Sequence, residues 1–577
     1  MQDAFAGQAG DTDPYAGYHY NTFVQTIDAV NTAPGTQGKD DFWMKMWDGF
    51  AEDTWKVTPN FTLTAGVRYD IQLTPSPGKV NTNYPPVSSE YSTSIKNVTD
   101  RVQPRIAFSW SQYTGTVVRG GYGLFSALNQ GSTYYAMRVE NGVVQINYNY
   151  TGCLSSVGPI TPTNLTPKCA TPPTSATKLV YPNVPFQVTG PPLSAALYPM
   201  GGSAPSINGP TVVGPQSFHG LSPDFVPPLA HEMNLSLEQA MPGKMSLQIG
   251  YVGTRGMRLP VFLDANLVGQ TPHGIRSFYV QDANNNITKT LTVPYYLPAD
   301  RINTSLSSFN TGFSVANTWY NSMAVTVRRP FADGLEVLFN WTWARATDTG
   351  QVGGANGTFF GGDTPLDPNN VRAENGPSDI DVRNRATVSF VYQPNIMHDN
   401  KWVKNILDDF KFSGDDTASA GEPVFLSMSG TISGGAEGNI YGGAMSSSSG
   451  STTTGRPPQI GRNSITAPGF NNLDFRVSRN IPIHESTYLQ FAAEAFNLIN
   501  HQIITSVQGG YSSYLGTGVK SGAYTCSSAA PPAGSTAGGC IVPSTSTGLN
   551  TFYTTSNTSG SNLYTARQLQ MSAKLIF

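Results

Sequence analysis

The stretch "RQLQMSAKLIF" (567–577) decides how this chain is read. Leu569, Met571, Ala573, Leu575 and Phe577 fall on one side of a period-2 strand, and Gln568, Gln570, Ser572 and Lys574 on the other, with Ile576 the single lapse. One face is oily, the other is wet, and the strand ends on a bare aromatic side chain.

The same alternation returns along the whole chain. "FTLTAGVRYD" (61–70) sets Phe61, Leu63, Ala65, Val67 and Tyr69 against Thr62, Thr64, Gly66 and Arg68. "HEMNLSLEQ" (231–239) sets Met233, Leu235 and Leu237 against Glu232, Asn234, Ser236 and Glu238, and "MSLQIGY", "LEVLFNWTW", "LDFRVSR" and "YLQFAAEAF" repeat the scheme. The pattern predicts half-buried antiparallel strands near 15–27, 45–57, 61–71, 104–111, 116–125, 230–239, 245–253, 318–328, 335–344, 383–392, 410–428, 471–479, 487–497 and 563–577. The chain is therefore all-β, with about 14 strands. The count rises to about 16 if "YYAMRVENGVVQINYNY" (134–150), with Asn141-Gly142 as a type I′ turn, adds a hairpin to the wall instead of rising out of a loop.

Composition narrows the setting. Only 12% of the 577 residues are charged, against 39% hydrophobic, and an average soluble domain carries about twice that charge fraction. With a net charge of -3 and singly scattered Lys and Arg, the chain has no basic footprint for nucleic acid. No apolar run approaches the ~18 to 20 residues of a membrane helix. In a bilayer such a chain can only form a closed barrel, which satisfies every backbone group between strands.

The connections carry the stronger signal. "TPN", "SQYTG", "AMPGK" and "PFADG" are short and "NIPIHES" nearly so, and they alternate with long links at 72–103, 126–229, 254–317, 345–382, 429–470 and 498–562. The link 393–409 is intermediate and falls on the short side. Short turns on one rim and long loops on the other are the plan of a transmembrane antiparallel β-barrel with periplasmic turns and extracellular loops. Counting back from Phe577, the C-terminus falls on the periplasmic side. Low-complexity stretches such as "GGAMSSSSGSTTTG" (442–455) and "CSSAAPPAGSTAGGC" (526–540) predict exposed surface without a core of its own.

On that plan Arg68, Glu232, Glu238, Glu336, Arg476, Gln490 and Glu494 point into the lumen, because an Arg or Lys facing lipid at the midplane costs about 2–4 kcal/mol. They read first as hydrated lining that pairs across strands or grips a plug, and second as ligand contacts. Trp341 and Trp343 fit an interfacial girdle or packing between strands. Cys153 with Cys169, and Cys526 with Cys540, read most simply as two loop disulfides in an oxidising compartment, each worth about 3 kcal/mol. Free thiols come next and a zinc site last. Asp363 and Asp367 read as a solvated acidic loop before a calcium site. The seven histidines form no HExxH or His-x-His pair, and no Walker A loop, G-x-G-x-x-G turn or G-x-S-x-G elbow is present. No catalytic residue, cofactor or metal is expected.

Five blocks carry a family resemblance: "FAEDTWKVTPNFTLTAGVRYD" (50–70), "QPRIAFSWSQYTGTVVRGGYGLF" (103–125), "WYNSMAVTVRRPFADGLEVLFNWTWARATD" (319–348), "DIDVRNRATVSFVYQP" (379–394) and "GRNSITAPGFNNLDFRVSRNIPIHESTYLQFAAEAFNLINH" (461–501). They resemble the Oar-like group of TonB-dependent outer-membrane receptors. The last strand resembles the C-terminal signal read by the barrel-assembly machinery, carried here by Leu569, Met571, Ala573, Leu575 and Phe577. The resemblance implies a barrel of about 22 strands, plugged, in the outer membrane of a Gram-negative bacterium. Residues 1–577 would be the C-terminal part of that barrel, with the plug, the TonB box and the N-terminal regulatory-like domain absent. The start "MQDAFAGQAGDTDPYAGYHY" shows no secretory signal, as expected either of a cytosolic protein or of a chain whose true N-terminus is missing. The implied partners are outer-membrane lipid, the barrel-assembly machinery, the TonB energy-coupling complex acting through the absent N-terminal region, and a bulky nutrient captured by the long loops. A passive porin or structural barrel is the alternative, and a soluble secreted all-β binding protein the third reading.

Overall fold

Thirteen strands pair in chain order into one antiparallel sheet. They are β1 (Lys45–Thr58), β2 (Phe61–Leu73), β3 (Val98–Trp110), β4 (Thr116–Ser126), β5 (Leu229–Met241), β6 (Met245–Asp264), β7 (Leu306–Ala332), β8 (Leu335–Asp348), β9 (Asn384–Tyr392), β10 (Phe410–Ser419), β11 (Phe470–His484), β12 (Thr487–Phe496) and β13 (Gln568–Ile576). Two shorter strands, Gln216–Leu221 and Gly376–Pro377, attach to β7 and β8. This computed structural model describes residues 22–28, 40–129, 131–151, 216–350, 367–394, 410–424, 460–484, 487–501, 530–543 and 566–577, with short pieces at 352–353, 361–362, 365, 427–429, 510–515, 520–521 and 524–526.

Turn chemistry sets the register. Ala332 pairs with Leu335 across Asp333-Gly334, whose φ values of 49° and 77° make the primed turn that matches strand twist. A Cβ on Gly334 would lie 2.2 Å from the Gln393 carbonyl oxygen, so the position admits only glycine.

That register lines apolar side chains up in rows. Ile106 of β3 faces Tyr122 of β4, which faces Met233 of β5. Further along, Tyr251 of β6 faces Met323 of β7, which faces Trp343 of β8. All six side chains are exposed. Leu569, Met571 and Leu575 of β13 and the terminal Phe577 are exposed too. Among the described residues no second sheet or helix layer covers this face, which is the arrangement of a wall whose outside is oil. Even a gap in the row is filled: Gly120 lies opposite Phe108, and a Cβ there would come within 2.5 Å of that ring.

Among the described residues neither end of the sheet has a further partner strand. After twelve reversals β1 and β13 run the same way, so they cannot pair antiparallel with each other.

The buried cores lie in the long links and in the ends of β6 and β7 that run into them. Val87, Phe218, Ala265, Leu306 and Phe309 form one cluster, and Ile95, Tyr134, Met137, Leu221 and Phe225 another, so that segments from the links after β2, β4 and β6 pack together. A separate five-stranded sheet joins the links after β6, β10 and β12, in the order Ile287–Tyr295, Gly274–Gln281, Ser535–Pro543, Gly510–Leu515, Ser427–Ser429. The described parts of these loops therefore form a packed cap.

Several expectations change here. The segment expected as a strand at 15–27 is described at Thr22–Asp28, and it pairs with Gln145–Thr151 outside the wall. The hairpin expected at 134–150 is a helix, Gly131–Arg138, followed by that strand. Gly142 takes φ 84° but Asn141 does not join it in the left-handed region, so the expected type I′ turn is absent, and Tyr134 and Met137, three apart, are both buried, which is a helical spacing. The strand expected to run through 410–428 stops at Ser419, beyond which Pro423–Val424 pairs with Ile465–Thr466. The stretch expected to lack a core, 526–540, supplies the buried Cys526 and Cys540, which pack with Tyr279 and Val542.

Leu235, midway along β5 in the exposed row, tests the wall directly. Leu235→Arg should cost about 2–4 kcal/mol of folding free energy in lipid vesicles, while Ser236→Arg on the opposite face should cost under about 1 kcal/mol. Urea titration of the refolded protein measures both, and equal costs would contradict the assignment of faces.

Candidate functional site

Side chains that alternate with the apolar rows make a continuous polar face, and the register groups them. Arg68 of β2 bridges Asp48 at 3.0 Å and Asp70 at 2.8 Å. Arg119 of β4 meets Glu238 of β5 at 2.9 Å. Arg476 of β11 pairs with Glu494 of β12 at 2.7 Å and donates to Gln490 at 3.4 Å, while Gln490 donates to Asn480 at 2.9 Å. Glu232 stands exposed, opposite Gly123 and Thr254, with no ion pair among the described residues. The Arg119–Glu238 bridge is solvated on both sides and adds only about 0–1 kcal/mol to stability, whereas Asp70 beside Arg68 and Glu494 beside Arg476 are largely buried.

Glu336, Arg476 and Glu494 come together along one groove of about 410 Å³ that crosses β8 to β12. Its floor is a cross-strand row of Leu338, Ser389, Asp415 and Asp474. The Ser389 hydroxyl donates to Asp415, and Asp474 accepts from the Asn472 amide at 3.2 Å and the Asn497 backbone N–H at 2.9 Å. Asp415 and Asp474 face each other directly across β10 and β11, a like-charge pair that is unfavourable unless donors or a cation offset it. Four carboxylates against one guanidinium favour cationic and hydrogen-bond-donating groups over anions. Asp415 and Asp474 were not among the residues singled out from the sequence, although "LDFRVSR" sets Asp474 on the same side as Arg476.

A second polar cluster clamps the far end of β8. Arg462 is fully buried; it pairs with the Asp348 carboxylate and donates to the carbonyls of Asp348 at 2.8 Å and Glu374 at 3.1 Å. Asn463 donates to the Pro377 carbonyl at 3.1 Å and to Asp379. Asp381 accepts from the Ala346 N–H at 2.6 Å and from Arg383 at 2.7 Å. Three of the resembling blocks, 319–348, 379–394 and 461–501, thus meet at one knot, and the chemistry there is structural.

In the cap, Cys526 and Cys540 form a disulfide with a Cα–Cα distance of 5.4 Å; Cys153 and Cys169 lie outside the described residues. Asp367 accepts from the Tyr296 hydroxyl at 3.3 Å and the Asn369 N–H at 2.9 Å, tying loop to loop, and Asp363 lies outside the described residues. Among the described residues no group of three or more His, Cys, Asp and Glu side chains is placed to hold a metal ion. Asp264 ends the 20-residue β6, about twice the length needed to cross a bilayer, and its Oδ1 accepts from the Asn266 N–H at 3.0 Å and the Phe309 N–H at 2.9 Å. Burial pushes its carboxyl above the ordinary aspartate value, against the pull of those two N–H groups and of Arg301.

The outer membrane beta barrel domain family matches residues 2–531. Among curated proteins none matches. Solved structures with a similar fold include the outer membrane transporter YddB from Escherichia coli, at 9% identity and a TM-score of 0.37 over 80% of this chain and 42% of that one. A variant of the ferric enterobactin receptor from Pseudomonas aeruginosa, bound to enterobactin, shows 11% identity and a TM-score of 0.37 over 83% and 45%. The ferric citrate transporter FecA shows 9% identity and a TM-score of 0.31 over 79% and 40%. The chain spans less than half the length of each of these.

Two outcomes follow from this geometry. Arg462→Met strands a buried carboxylate and should lower stability by about 3–5 kcal/mol in guanidinium titration; a loss below about 1 kcal/mol would contradict the clamp. Asp264 holds its proton more tightly folded than unfolded, so its contribution is full below the unfolded value of about 4 and is lost as pH rises through the folded value. Resistance of the wild-type cap to limited proteolysis should therefore fall as pH rises above the ordinary aspartate range, and Asp264→Asn should flatten the profile. An unchanged slope in the variant would remove Asp264 as the cause.

Proposed function

Because this chain belongs to the outer membrane beta barrel domain family and so resides in the outer membrane of a Gram-negative bacterium, we propose that it is the C-terminal wall and loop portion of a TonB-dependent receptor that imports a bulky nutrient. The observation that carries this reading is the combination of an uncovered apolar face, an opposite face lined with ion pairs and an acidic groove, and long loops fused into a cap.

Each part has a role in uptake. The apolar rows hold the wall in lipid, and the polar face, with Arg68, Glu232, Glu238, Glu336, Arg476, Gln490 and Glu494, lines the lumen. The cap, stiffened by the Cys526–Cys540 disulfide, captures the ligand. The parity of the sheet supports a larger barrel, since an all-antiparallel wall closes around these thirteen strands only with an odd number of further ones. A plug within that larger wall and a TonB box reaching the inner-membrane complex would supply gating and energy. The ferric enterobactin receptor and the ferric citrate transporter are named for iron chelates, but this groove's excess of carboxylates favours a cationic or hydroxyl-rich ligand. Binding and gating, without covalent chemistry, account for the ion pairs and the acidic groove of the polar face.

Growth of the native host on a single limiting nutrient tests the proposal. Growth on at least one bulky substrate should require both this protein and TonB, with uptake reduced about tenfold or more when either is removed, as for loss of a specific binding step. Uptake that persists without TonB, together with steady conductance of the purified protein in planar bilayers, would instead identify a passive pore.

A further inference from the structure

The outward row of β6 runs Met245, Leu247, Ile249, Tyr251 and Gly253, and its next member is Arg255; that of β8 runs from Leu335 to Trp343, and its next member is Arg345. Each arginine stands ten residues from the strand end at its short turn, and so does His231 of β5, counted from Met241. At about 3.3 Å per residue and a tilt of about 40°, ten residues climb about 25 Å, the height of the apolar band of an outer-membrane wall. The three basic side chains therefore stand at the edge of that band, on the side of the long loops.

Two tyrosines mark the same edge. Tyr122 of β4 pairs with Met233, but its hydroxyl lies 2.7 Å from Nδ1 of His231, two residues nearer the loops. Tyr251 of β6 pairs with Met323, but its hydroxyl donates to Asn321 Oδ1 at 2.7 Å, again two residues nearer the loops. The ring of Tyr251 passes over Gly253, where a Cβ would come within 2.7 Å of the hydroxyl oxygen. Rings with an apolar body in the band and a polar tip at its edge are what a membrane interface selects.

Arg255 pairs with His231 and Trp319, and Arg345 pairs with Asn321. Both arginines are exposed, and among the described residues neither has an ion pair or a side-chain hydrogen bond. No outward position in the wall portions of β5 to β9 carries a carboxylate. The two arginines are two strands and two residues apart, about 12 Å between Cα atoms, a gap that two such side chains span from either side. Towards the short turns the same face exposes Met233, Met323 and Trp343.

We infer that this edge holds one anionic lipid of the loop-side leaflet, its phosphate bound between Arg255 and Arg345 beside Asn321 and its acyl chains running down over Met233, Met323 and Trp343. Charge decides the headgroup: a guanidinium pairs with phosphate through charge-assisted hydrogen bonds, and this face offers it no carboxylate instead. The apolar side chains below decide the source. A soluble phosphate would meet only the arginines, whereas a lipid also covers the row beneath them, with its chains directed towards the bilayer centre. The site depends on residence in the outer membrane, and it stands whether or not the protein imports a nutrient.

Native mass spectrometry of the full chain released from nanodiscs is the test, with phosphatidic acid, phosphatidylglycerol and phosphatidylcholine as probes. The wild type should retain phosphatidic acid about tenfold over phosphatidylcholine, the size of one charge-assisted hydrogen bond, with phosphatidylglycerol between them. Arg255→Gln and Arg345→Gln should each cut that preference about threefold or more, while Arg328→Gln, which removes an exposed charge on the lumen face, should leave it unchanged. Equal retention of the three lipids by the wild type, a result that needs no variant to fold, would overturn the inference. So would a preference that survives in the double variant, or one lost equally in Arg328→Gln. Excess inorganic phosphate should leave the bound phosphatidic acid in place, and its full displacement would overturn the lipid source in favour of a free anion.

Discussion

Within hydrocarbon a peptide group has nothing to bond except another peptide group, and every feature of this wall follows from that constraint. Thirteen strands exchange their backbone hydrogen bonds in unbroken chain order, which leaves side chains to decide what each face meets. Because the side-chain period is 2, one face takes the Leu, Val, Met and aromatic residues and the other takes the Arg, Glu, Asp and Gln residues. A shift of a single residue would invert both faces, so tight turns such as Asp333-Gly334 hold the register on which the outer and inner surfaces depend.

The wall itself buries little, and packing is found elsewhere. Aromatic and aliphatic side chains from distant links form closed clusters in the cap, and a mixed sheet stitches three of those links together. This division of labour suits a wall that is oily on one face and wet on the other, with its packing confined to the links and the strand ends that run into them. The clamp around Arg462 joins the two regimes, fastening the loop residues 374–381 to the end of β8 through buried, directional bonds.

Legibility in the sequence tracked the range of the interactions. All thirteen wall strands were readable, because alternation is local and repeats at each crossing. Partner choice was not: Thr22–Asp28 is a strand, yet it pairs with Gln145–Thr151, and no period within either segment states that. The left-handed Gly142 was readable, but the type I′ turn expected with Asn141 does not form, and the helix before it was hidden by aromatic residues that also suit strands. For the polar face, Glu336, Arg476 and Glu494 were predicted and share one groove, while Asp415 and Asp474 needed the cross-strand register to be placed beside them. Arg462 lay in a stretch noted only for its resemblance, since its partners Asp348 and Glu374 are roughly a hundred positions away. Arg255 and Arg345 are the instructive omission: the parity of "MSLQIGY" and "LEVLFNWTW" continues onto them and sets each on the oily face.

The central claim is that the exposed apolar rows contact lipid, and depth-dependent fluorescence quenching measures this most directly. Single cysteines at Leu235 and Ile249, and at their neighbours Ser236 and Gln248, would carry an environment-sensitive label in vesicles containing brominated lipid. The predicted result is strong quenching at 235 and 249 and little at 236 and 248, with a water-soluble quencher giving the reverse. Uniform access of the aqueous quencher to all four positions, or protection of 235 and 249 from both quenchers, would contradict it.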